Sequence, residues 1–302
     1  MKKKLYYDLV KIVGKENIKV EEILKEHTFI KLGGKVDFYI TPTTYKMVSK
    51  VVKLCNKYSF PLMVLGNGSN LIIRDGGIRG VIINLKNLDS VVIDDDTMFV
   101  EGGANTIEVS KEALENNLSG LEFACGIPGT IGGAIFMNAG AYGGQINDIL
   151  IECLVVEKSG KIVMKNAKEL EYDYRHSKLQ ENRDIVLAGK FKLEKSNYDK
   201  IKAVMDDLTY KRESKQPLEY PSCGSVFKRP KGYYAGKLIQ DSDLQGYKIG
   251  GAEVSTKHAG FIVNKDNATA NDYIKLIEHI QTVVKDKYNV KLELEVKIVG
   301  EN

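Results

Sequence analysis

The chain has 302 residues, of which 43% are hydrophobic and 28% charged, a composition typical of a globular protein with two or three domains. Its 44 Lys and Arg against 40 Asp and Glu leave a formal charge of +4, too small and too evenly spread to indicate a nucleic-acid partner. No stretch approaches the ~20 apolar residues of a membrane span, and Asp8 and Lys11 interrupt the apolar run after the first lysines. We therefore expect a cytoplasmic protein with no membrane association and no obligate protein partner.

The cysteines and histidines give no sign of a disulfide or a metal site. The cysteines lie far apart, form no CxxC pair and have no histidine at zinc-ligand spacing: Cys55, Cys125, Cys153 and Cys223. We expect them to be thiols in a reducing compartment, and we expect no bound metal.

Short apolar strands and amphipathic helices alternate in the first half of the chain. The strand-like stretch "IKLGGKVDFYI" precedes a helix with one apolar face, capped by Thr43 or Thr44. Asn105 and Glu108 have the spacing of a capping box, which predicts a helix from there to Gly120. Further strands are predicted in "FPLMVL", "LIIRD", "GVIINL", "VVIDD" and "MFVEGG".

The second half also mixes strands and helices. A hairpin is predicted around Ser159-Gly160, and a basic helix near residues 198–212. Thr269 and Asp272 have capping-box spacing and predict a final helix. The stretch "VKLELEVKIVG" alternates apolar and charged residues, which predicts a strand with one polar face. The predicted class is α+β.

Two glycine-rich segments are candidate ligand sites. In "LGNGSNLIIRD", residues 65–75, the glycines can aim successive N–H groups at a phosphate, although a hairpin turn explains the segment equally well. In "GIPGTIGGAIFMNAGAYGG", residues 126–144, seven of nineteen residues are glycine, and interspersed apolar residues argue against a flexible linker. Together the two segments suit a cofactor with a pyrophosphate, bound in an extended form.

Five motifs in this order carry a family resemblance. They are "LGNGSNLIIRD", "GIPGTIGGAIFMNAGAYGG", "YDYRHS", "SCGSVFKRP" and "LELEVKIVG". Together they resemble the UDP-N-acetylenolpyruvoylglucosamine reductase (MurB) family, in its shorter type II branch. The resemblance implies the two-lobed FAD-binding fold of the MurB and vanillyl-alcohol-oxidase (PCMH) kind, with a C-terminal α+β substrate domain. It also implies NADPH-dependent reduction of a UDP-sugar enolpyruvyl ether through bound FAD, in peptidoglycan synthesis.

The resemblance implies boundaries and cofactor contacts. The expected division is residues 1–88 with 291–302 as the first FAD-binding lobe, 89–200 as the second, and 201–290 as the substrate domain. The expected FAD-binding residues are Gly66, Asn67, Gly68, Ser69, Asn70, Ile127, Pro128, Gly129, Gly132, Gly133, Asn138, Ala139 and Gly140.

The resemblance also implies three catalytic residues. Reduction of the enolpyruvyl group produces an enolate beside the carboxylate, and this charge calls for preorganised donors and an acid. Arg175 would bind the carboxylate, Ser225 would give a proton to the carbon, and Glu295 in its protonated form would donate a hydrogen bond to the enolate. By sequence alone the default interpretations are a solvated arginine, a turn serine and a glutamate on the solvent-exposed face of a strand, and only the joint match of the five motifs favours the catalytic roles.

Two residues are predicted to contact the substrate. Lys215 matches a lysine of the family, and His258 falls where some members carry a glutamine, although a structural role for this histidine stays open. Tyr233, Tyr234 and Lys237 are equally substrate contacts or packing residues.

Two other functions stay open. A flavin oxidase on the same scaffold would often tether its flavin through a histidine, and residues 126–144 contain none. A binding module for nucleotide sugars would keep the glycines without needing the three catalytic residues.

Overall fold

The computed structural model describes residues 2–302. The helices are α1 (Lys2–Val13), α2 (Tyr45–Lys57), α3 (Thr106–Glu115), α4 (Ile131–Met137), α5 (Lys178–Asn182), α6 (Tyr198–Lys215), α7 (Ala235–Gln240) and α8 (Ala270–Tyr288). The first strands are β1 (Ile18–Ile23), β2 (Lys35–Ile40), β3 (Leu62–Val64), β4 (Leu71–Ile73), β5 (Ile78–Ile83), β6 (Val91–Asp94), β7 (Thr97–Glu101), β8 (Leu118–Ser119), β9 (Gly140–Ala141) and β10 (Gly144–Gln145). The others are β11 (Leu150–Val156), β12 (Ile162–Asn166), β13 (Ile185–Lys192), β14 (Glu194–Lys195), β15 (Ser222–Ser225), β16 (Lys248–Ile249), β17 (Ala252–Val254), β18 (Phe261–Asn264) and β19 (Lys297–Val299).

The chain divides into two compact units, each made of separate segments. The first unit holds the residues up to Val20, Phe38–Gly66 and Gly80–Lys211, and the second holds Glu21–Asp37, Asn67–Arg79 and Arg212–Asn302. The predicted division into three domains stays a prediction.

The first unit contains a five-stranded antiparallel sheet in the order β12-β11-β13-β7-β6, with α4 packed on it. Two glycines allow this close packing. A Cβ on Gly132 of α4 would lie 2.9 Å from the carbonyl oxygen of Gly102, and a Cβ on Gly189 of β13 would lie 2.5 Å from Ile135. The apolar side of the glycine-rich segment therefore becomes part of the core.

The other core of the first unit packs α1 and α2 against apolar residues of the neighbouring strands. Val48, Val51 and Cys55 of α2 are buried on one face, as the sequence predicts. The cap of α2 is Thr44, whose hydroxyl accepts from the Met47 amide.

The second unit is built on a four-stranded antiparallel sheet in the order β15-β18-β17-β16, with α7 and α8 contributing to the same core. The capping box of Thr269 and Asp272 opens α8, which confirms the prediction. A separate pair, β4 and β19, runs parallel and belongs to this unit. In residues 2–302 no helix is both long enough and apolar enough to pass through a bilayer.

The structure confirms some predicted elements and corrects others. The hairpin around Ser159-Gly160 is present as β11 and β12, and Asn105 caps α3. The prediction that this helix extends to Gly120 is wrong, because α3 ends at Glu115 and Asn117 adopts a left-handed conformation. The long final strand is also wrong: only Lys297–Val299 forms a strand, since its partner β4 has three residues.

Candidate active site

The glycine-rich segment of the first unit leaves bare backbone at Gly133 of α4. Gly133 lies on the exposed side of α4, where a Cβ would meet only the Thr130 hydroxyl, at 3.4 Å. A Cβ on Gly66 would lie 2.6 Å from the same hydroxyl, which also caps α4 by accepting from the Gly133 amide. Glycine is unfavourable inside a helix, and nothing in the chain requires it at position 133. This backbone therefore fits a flat group lying against it, as FAD would.

The remaining predicted FAD residues of the first unit have differing roles within the chain. Gly132 is explained by packing against Gly102, as described above. The carbonyl of Gly129 accepts from the Thr106 amide, which fixes the turn before α4. The others are half-buried in this turn or pack partly against the core: Ile127, Pro128 and Ala139.

Asn138 ends α4 in a left-handed conformation (φ 46°), and the residue is 1% exposed. Its amide group donates to Gln145 and to the carbonyl of Asp173, and its Oδ1 accepts from the Asn147 amide. Because these bonds engage both ends of the amide, the Asn138 side chain organises the protein around it. A flavin contact at this residue stays a prediction for its backbone.

Arg175 lies against the same segment. Its guanidinium donates to the carbonyl of Gly140 at 2.7 Å, and its backbone is left-handed (φ 57°). The Gln180 amide donates to the carbonyls of Arg175 and Phe136, both at 3.1 Å, and so ties the arginine loop to α4. The guanidinium also donates to the carbonyl of Asn138 at 3.5 Å, so the structure brings Arg175 together with two predicted FAD residues, Asn138 and Gly140.

Residues 67–70 belong to the second unit and do not form a hairpin turn, because β3 pairs with β5 while β4 pairs with β19. Gly68 is left-handed (φ 62°), as a phosphate-binding nest requires, and its carbonyl accepts from the Phe29 amide. Asn67 and Ser69 are half-buried beside it. Asn70 donates from its side chain to the carbonyl of Glu295 at 3.3 Å.

Ser225 ends β15 directly after an irregularity in the strand. Ser222 pairs with Val263 and Ser225 with Phe261, so β15 advances three residues where β18 advances two. This extra residue makes a β-bulge, a feature that redirects side chains beside active sites. Gly224 has a φ of 77°, and a Cβ there would meet nothing within 4 Å, so this conformation, and not space, accounts for the glycine.

Glu295 is held beside Val226, the residue after Ser225, by backbone hydrogen bonds. Its amide donates to the carbonyl of Val226 at 2.9 Å, and the Lys228 amide donates to the carbonyl of Glu293 at 2.8 Å. Glu295 is half-buried, whereas the neighbouring Glu293 and Lys297 are exposed. The solvent-exposed face that the sequence predicts for this stretch is therefore interrupted at Glu295. Ser225 and Glu295, two of the three predicted catalytic residues, lie on adjacent segments of the second unit.

The two predicted substrate residues, Lys215 and His258, both belong to the second unit but lie on different elements. Lys215 is the exposed end of α6. His258 is half-buried, and its Nδ1 accepts from the Gly260 amide at 3.1 Å, so the neutral ring carries its proton on Nε2. Tyr233 and Tyr234 are exposed, and Tyr234 stacks under the Arg229 guanidinium at 4.0 Å.

Replacing His258 with glutamine should reduce the acid sensitivity of folding. Burial lowers the pKa of His258 in the folded protein below its usual 6.5. As the pH falls through 6.5, this histidine therefore binds a proton more readily in the unfolded chain than in the folded one, and the free energy of unfolding decreases. We expect the melting temperature of His258→Gln to drop less on acidification than that of the parent. Thermal denaturation on both sides of pH 6.5 measures this, with the half-exposed His176→Gln as control. Equal drops in parent and His258→Gln would contradict it.

Sequence reasoning missed three residues that organise these sites: Thr130, Gln180 and Tyr273. Thr130 carries a signal, since a threonine before a short helix is a typical cap. Gln180 forms a hydrogen bond with Phe136, 44 residues away in the sequence, and Tyr273 forms one with Cys223, 50 residues away. No local pattern marks either residue.

Comparisons with known proteins agree over nearly the whole chain. The family model for the C-terminal domain of UDP-N-acetylenolpyruvoylglucosamine reductase matches residues 216–299, and an FAD binding domain model matches residues 36–164. The UDP-N-acetylenolpyruvoylglucosamine reductase of Oceanobacillus iheyensis is 58% identical over 298 residues, covering 99% of this chain and 97% of that protein. The same enzyme of Staphylococcus aureus is 54% identical over 300 residues, covering 99% and 98%.

Among solved structures, one match is a member of the same reductase family and another shares only the fold. The reductase (MurB) of Thermus caldophilus matches with a TM-score of 0.81 and 32% identity, covering 93% of this chain and 99% of that one. The glucose dehydrogenase Phl p 4.0202 matches with a TM-score of 0.54 and 18% identity, covering 65% of this chain and 44% of that one. The second match is a likeness of fold alone.

Proposed function

Because this chain belongs to the UDP-N-acetylenolpyruvoylglucosamine reductase family and is an FAD-binding oxidoreductase, we propose that its substrate is UDP-N-acetylglucosamine enolpyruvate and its electron donor NADPH. The product is UDP-N-acetylmuramate, in which the enolpyruvyl double bond has gained one hydride and one proton. The reaction belongs to peptidoglycan precursor synthesis in the cytoplasm, and the free cysteines suit that reducing compartment.

The exposed backbone of the glycine-rich segment supports FAD binding there. Gly133 would let the cofactor approach the main chain of α4, since a Cβ there would meet only the Thr130 hydroxyl. In the second unit, the left-handed Gly68 suits residues 67–70 to offer backbone donors to a phosphate. When bound, FAD supplies the relay of a hydride from NADPH to the terminal carbon of the enolpyruvyl group. The protein's own task is to orient the substrate and to manage charge at the adjacent carbon.

The observation that carries the catalytic proposal is the hydrogen bond between Glu295 and Val226, which places Glu295 beside the residue after Ser225. Ser225 gives its hydroxyl proton to the carbon next to the carboxylate, which completes the lactyl ether. Glu295, in its protonated form, would donate a hydrogen bond to the enolate oxygen, and Arg175 would stabilise the negative charge of the carboxylate.

Substrate binding is proposed for two further groups. Lys215 offers a flexible cation to the anionic UDP-sugar, and its exposure at the end of α6 suits that role. His258 offers its Nε2–H as a neutral donor, because its Nδ1 is engaged by Gly260.

The test uses the purified protein and its own flavin colour. We expect yellow protein that bleaches with NADPH under anaerobic conditions and regains its colour when UDP-N-acetylglucosamine enolpyruvate is added. Colourless protein that binds UDP-sugars would instead identify a binding module. Rapid re-oxidation by oxygen, with none by the enolpyruvyl substrate, would identify an oxidase and reject the proposal.

A further inference from the structure

The bulge before Ser225 is spanned by one buried hydroxyl group. The Tyr273 hydroxyl, on α8, donates to the carbonyl of Ile262 at 3.0 Å and lies 3.2 Å from the Sγ of Cys223. Ile262 is the β18 residue between the two paired positions, and Cys223 is one of the two β15 residues opposite it. The hydroxyl therefore contacts both strands at the place where their pairing is interrupted.

Burial determines how these hydrogen bonds are directed. Tyr273, Cys223 and Ile262 are each at most 1% exposed. Burial raises the pKa of Cys223 to about 12, so its thiol keeps its proton at neutral pH and can donate to the tyrosine oxygen. The tyrosine proton is then committed to the carbonyl of Ile262. A chain of two bonds, from thiol to hydroxyl to carbonyl, links β15 to β18.

A bulge that has lost ladder bonds needs another support if its strand end is to stay in one conformation. On the far side of Ser225, the Val226 amide donates to the carbonyl of Gly260 at 3.0 Å. On the near side, the extra residue separates Ser225 from the next paired position, Ser222. The Tyr273 hydroxyl supports the strand on this near side, because it contacts Cys223 of β15 and Ile262 of β18.

We propose that Tyr273 is a positioning residue for Ser225, and that its hydroxyl acts through Cys223 to fix the direction of the serine side chain. This inference rests on the proposed role of Ser225 as proton donor. Tyr273 itself transfers no proton to the substrate, because its hydroxyl is buried and engaged with Ile262 and Cys223. Its effect should therefore appear in the proton-dependent half-reaction alone.

The test is Tyr273→Phe in the full-length holoenzyme, which keeps the buried ring and removes only the hydroxyl. We expect NADPH to reduce the flavin within about twofold of the parental rate, and the enolpyruvyl substrate to re-oxidise it about tenfold more slowly, since small misplacements of reacting groups cost up to ~10²-fold. Amide hydrogen exchange should accelerate at residues 222–226 and not along α8.

Matched variants separate positioning from general destabilisation. Ser242→Ala removes another buried hydroxyl of the same unit, one that donates to the carbonyl of Leu238, and should alter neither half-reaction. Cys223→Ala should reproduce the Tyr273→Phe defect, whereas Cys223→Ser, which keeps a donor, should restore most of the lost rate. In a Ser225→Ala background, Tyr273→Phe should slow re-oxidation no further, because no hydroxyl remains to be positioned.

Two results would overturn the proposal. One is unchanged exchange at residues 222–226 in Tyr273→Phe, and the other is an equal slowing of both half-reactions. If Ser225→Ala alone leaves re-oxidation unchanged, the proton-donor role under the proposed function fails. Faster exchange at residues 222–226 would then still identify Tyr273 as the support of the bulge, so the two failures are distinguishable.

Discussion

Ser225→Ala should bleach with NADPH at nearly the parental rate but regain its colour with the enolpyruvyl substrate at least ~10²-fold more slowly, which is the low end of what a positioned general acid contributes. The change removes only a hydroxyl. The backbone bonds of Val226 to Gly260 and of Glu295 to Val226 involve no serine side-chain atom, so the local geometry should survive. Stopped-flow measurement of flavin absorbance in each half-reaction is the direct readout.

The matched control is Ser222→Ala, at the other end of the same strand and also half-buried. It should change neither half-reaction by more than about twofold, which corresponds to less than ~0.5 kcal/mol in either activation barrier. The proton-donor assignment fails if Ser225→Ala stays within a few-fold of the parent in both halves. It also fails if the two serine variants behave alike.

Gly133→Leu should give a folded but largely colourless protein. Leucine is a better helix former than glycine by ~0.5–1 kcal/mol, and the chain itself leaves the Cβ position on α4 open, so the apoprotein should not lose stability. If FAD lies on this backbone, the added side chain overlaps it, and overpacking of ~1–3 kcal/mol weakens binding by about 5- to 150-fold. Flavin content after purification and FAD titration of the apoprotein measure the loss.

A graded series makes this test specific. Gly133→Ala should weaken FAD binding less than Gly133→Leu, while raising the apoprotein's free energy of unfolding. Glu112→Leu places a leucine on the exposed side of α3 in the same unit and should bind FAD normally. A Gly133→Leu protein with its full complement of flavin would show that the cofactor does not lie at this residue.

Much of the architecture could be predicted because its signals are local. The α+β class and the FAD-binding fold with its C-terminal domain are confirmed by the family models and the Thermus caldophilus structure. Caps at Thr44 and Thr269 and the turn at Ser159-Gly160 depend on residues within four positions of each other, so the sequence shows them directly.

What could not be predicted depends on contacts between distant residues. The bulge before Ser225 exists only relative to β18, about 36 residues further along, and the sequence carries no more than a glycine at position 224. The cofactor contact of Asn138 stays a prediction, but the hydrogen bonds of its buried amide to Gln145, Asp173 and Asn147 could not be predicted, because no local pattern marks them. The final alternating stretch predicts a long strand, but strand length is set by the three-residue partner β4.

The pairing of β4 with β19 has a consequence for synthesis of the chain on the ribosome. Leu71 pairs with Lys297, and the Glu301 amide donates to the carbonyl of Gly77. The ribosome synthesises these partners of β4 and of the turn after it more than 200 residues later. Such distant pairings form late, and an unpaired strand invites aggregation meanwhile. The first unit has no segment beyond Lys211 and can fold on the growing chain, whereas the unit carrying Ser225 and Glu295 can close only after residues 297–301 have emerged.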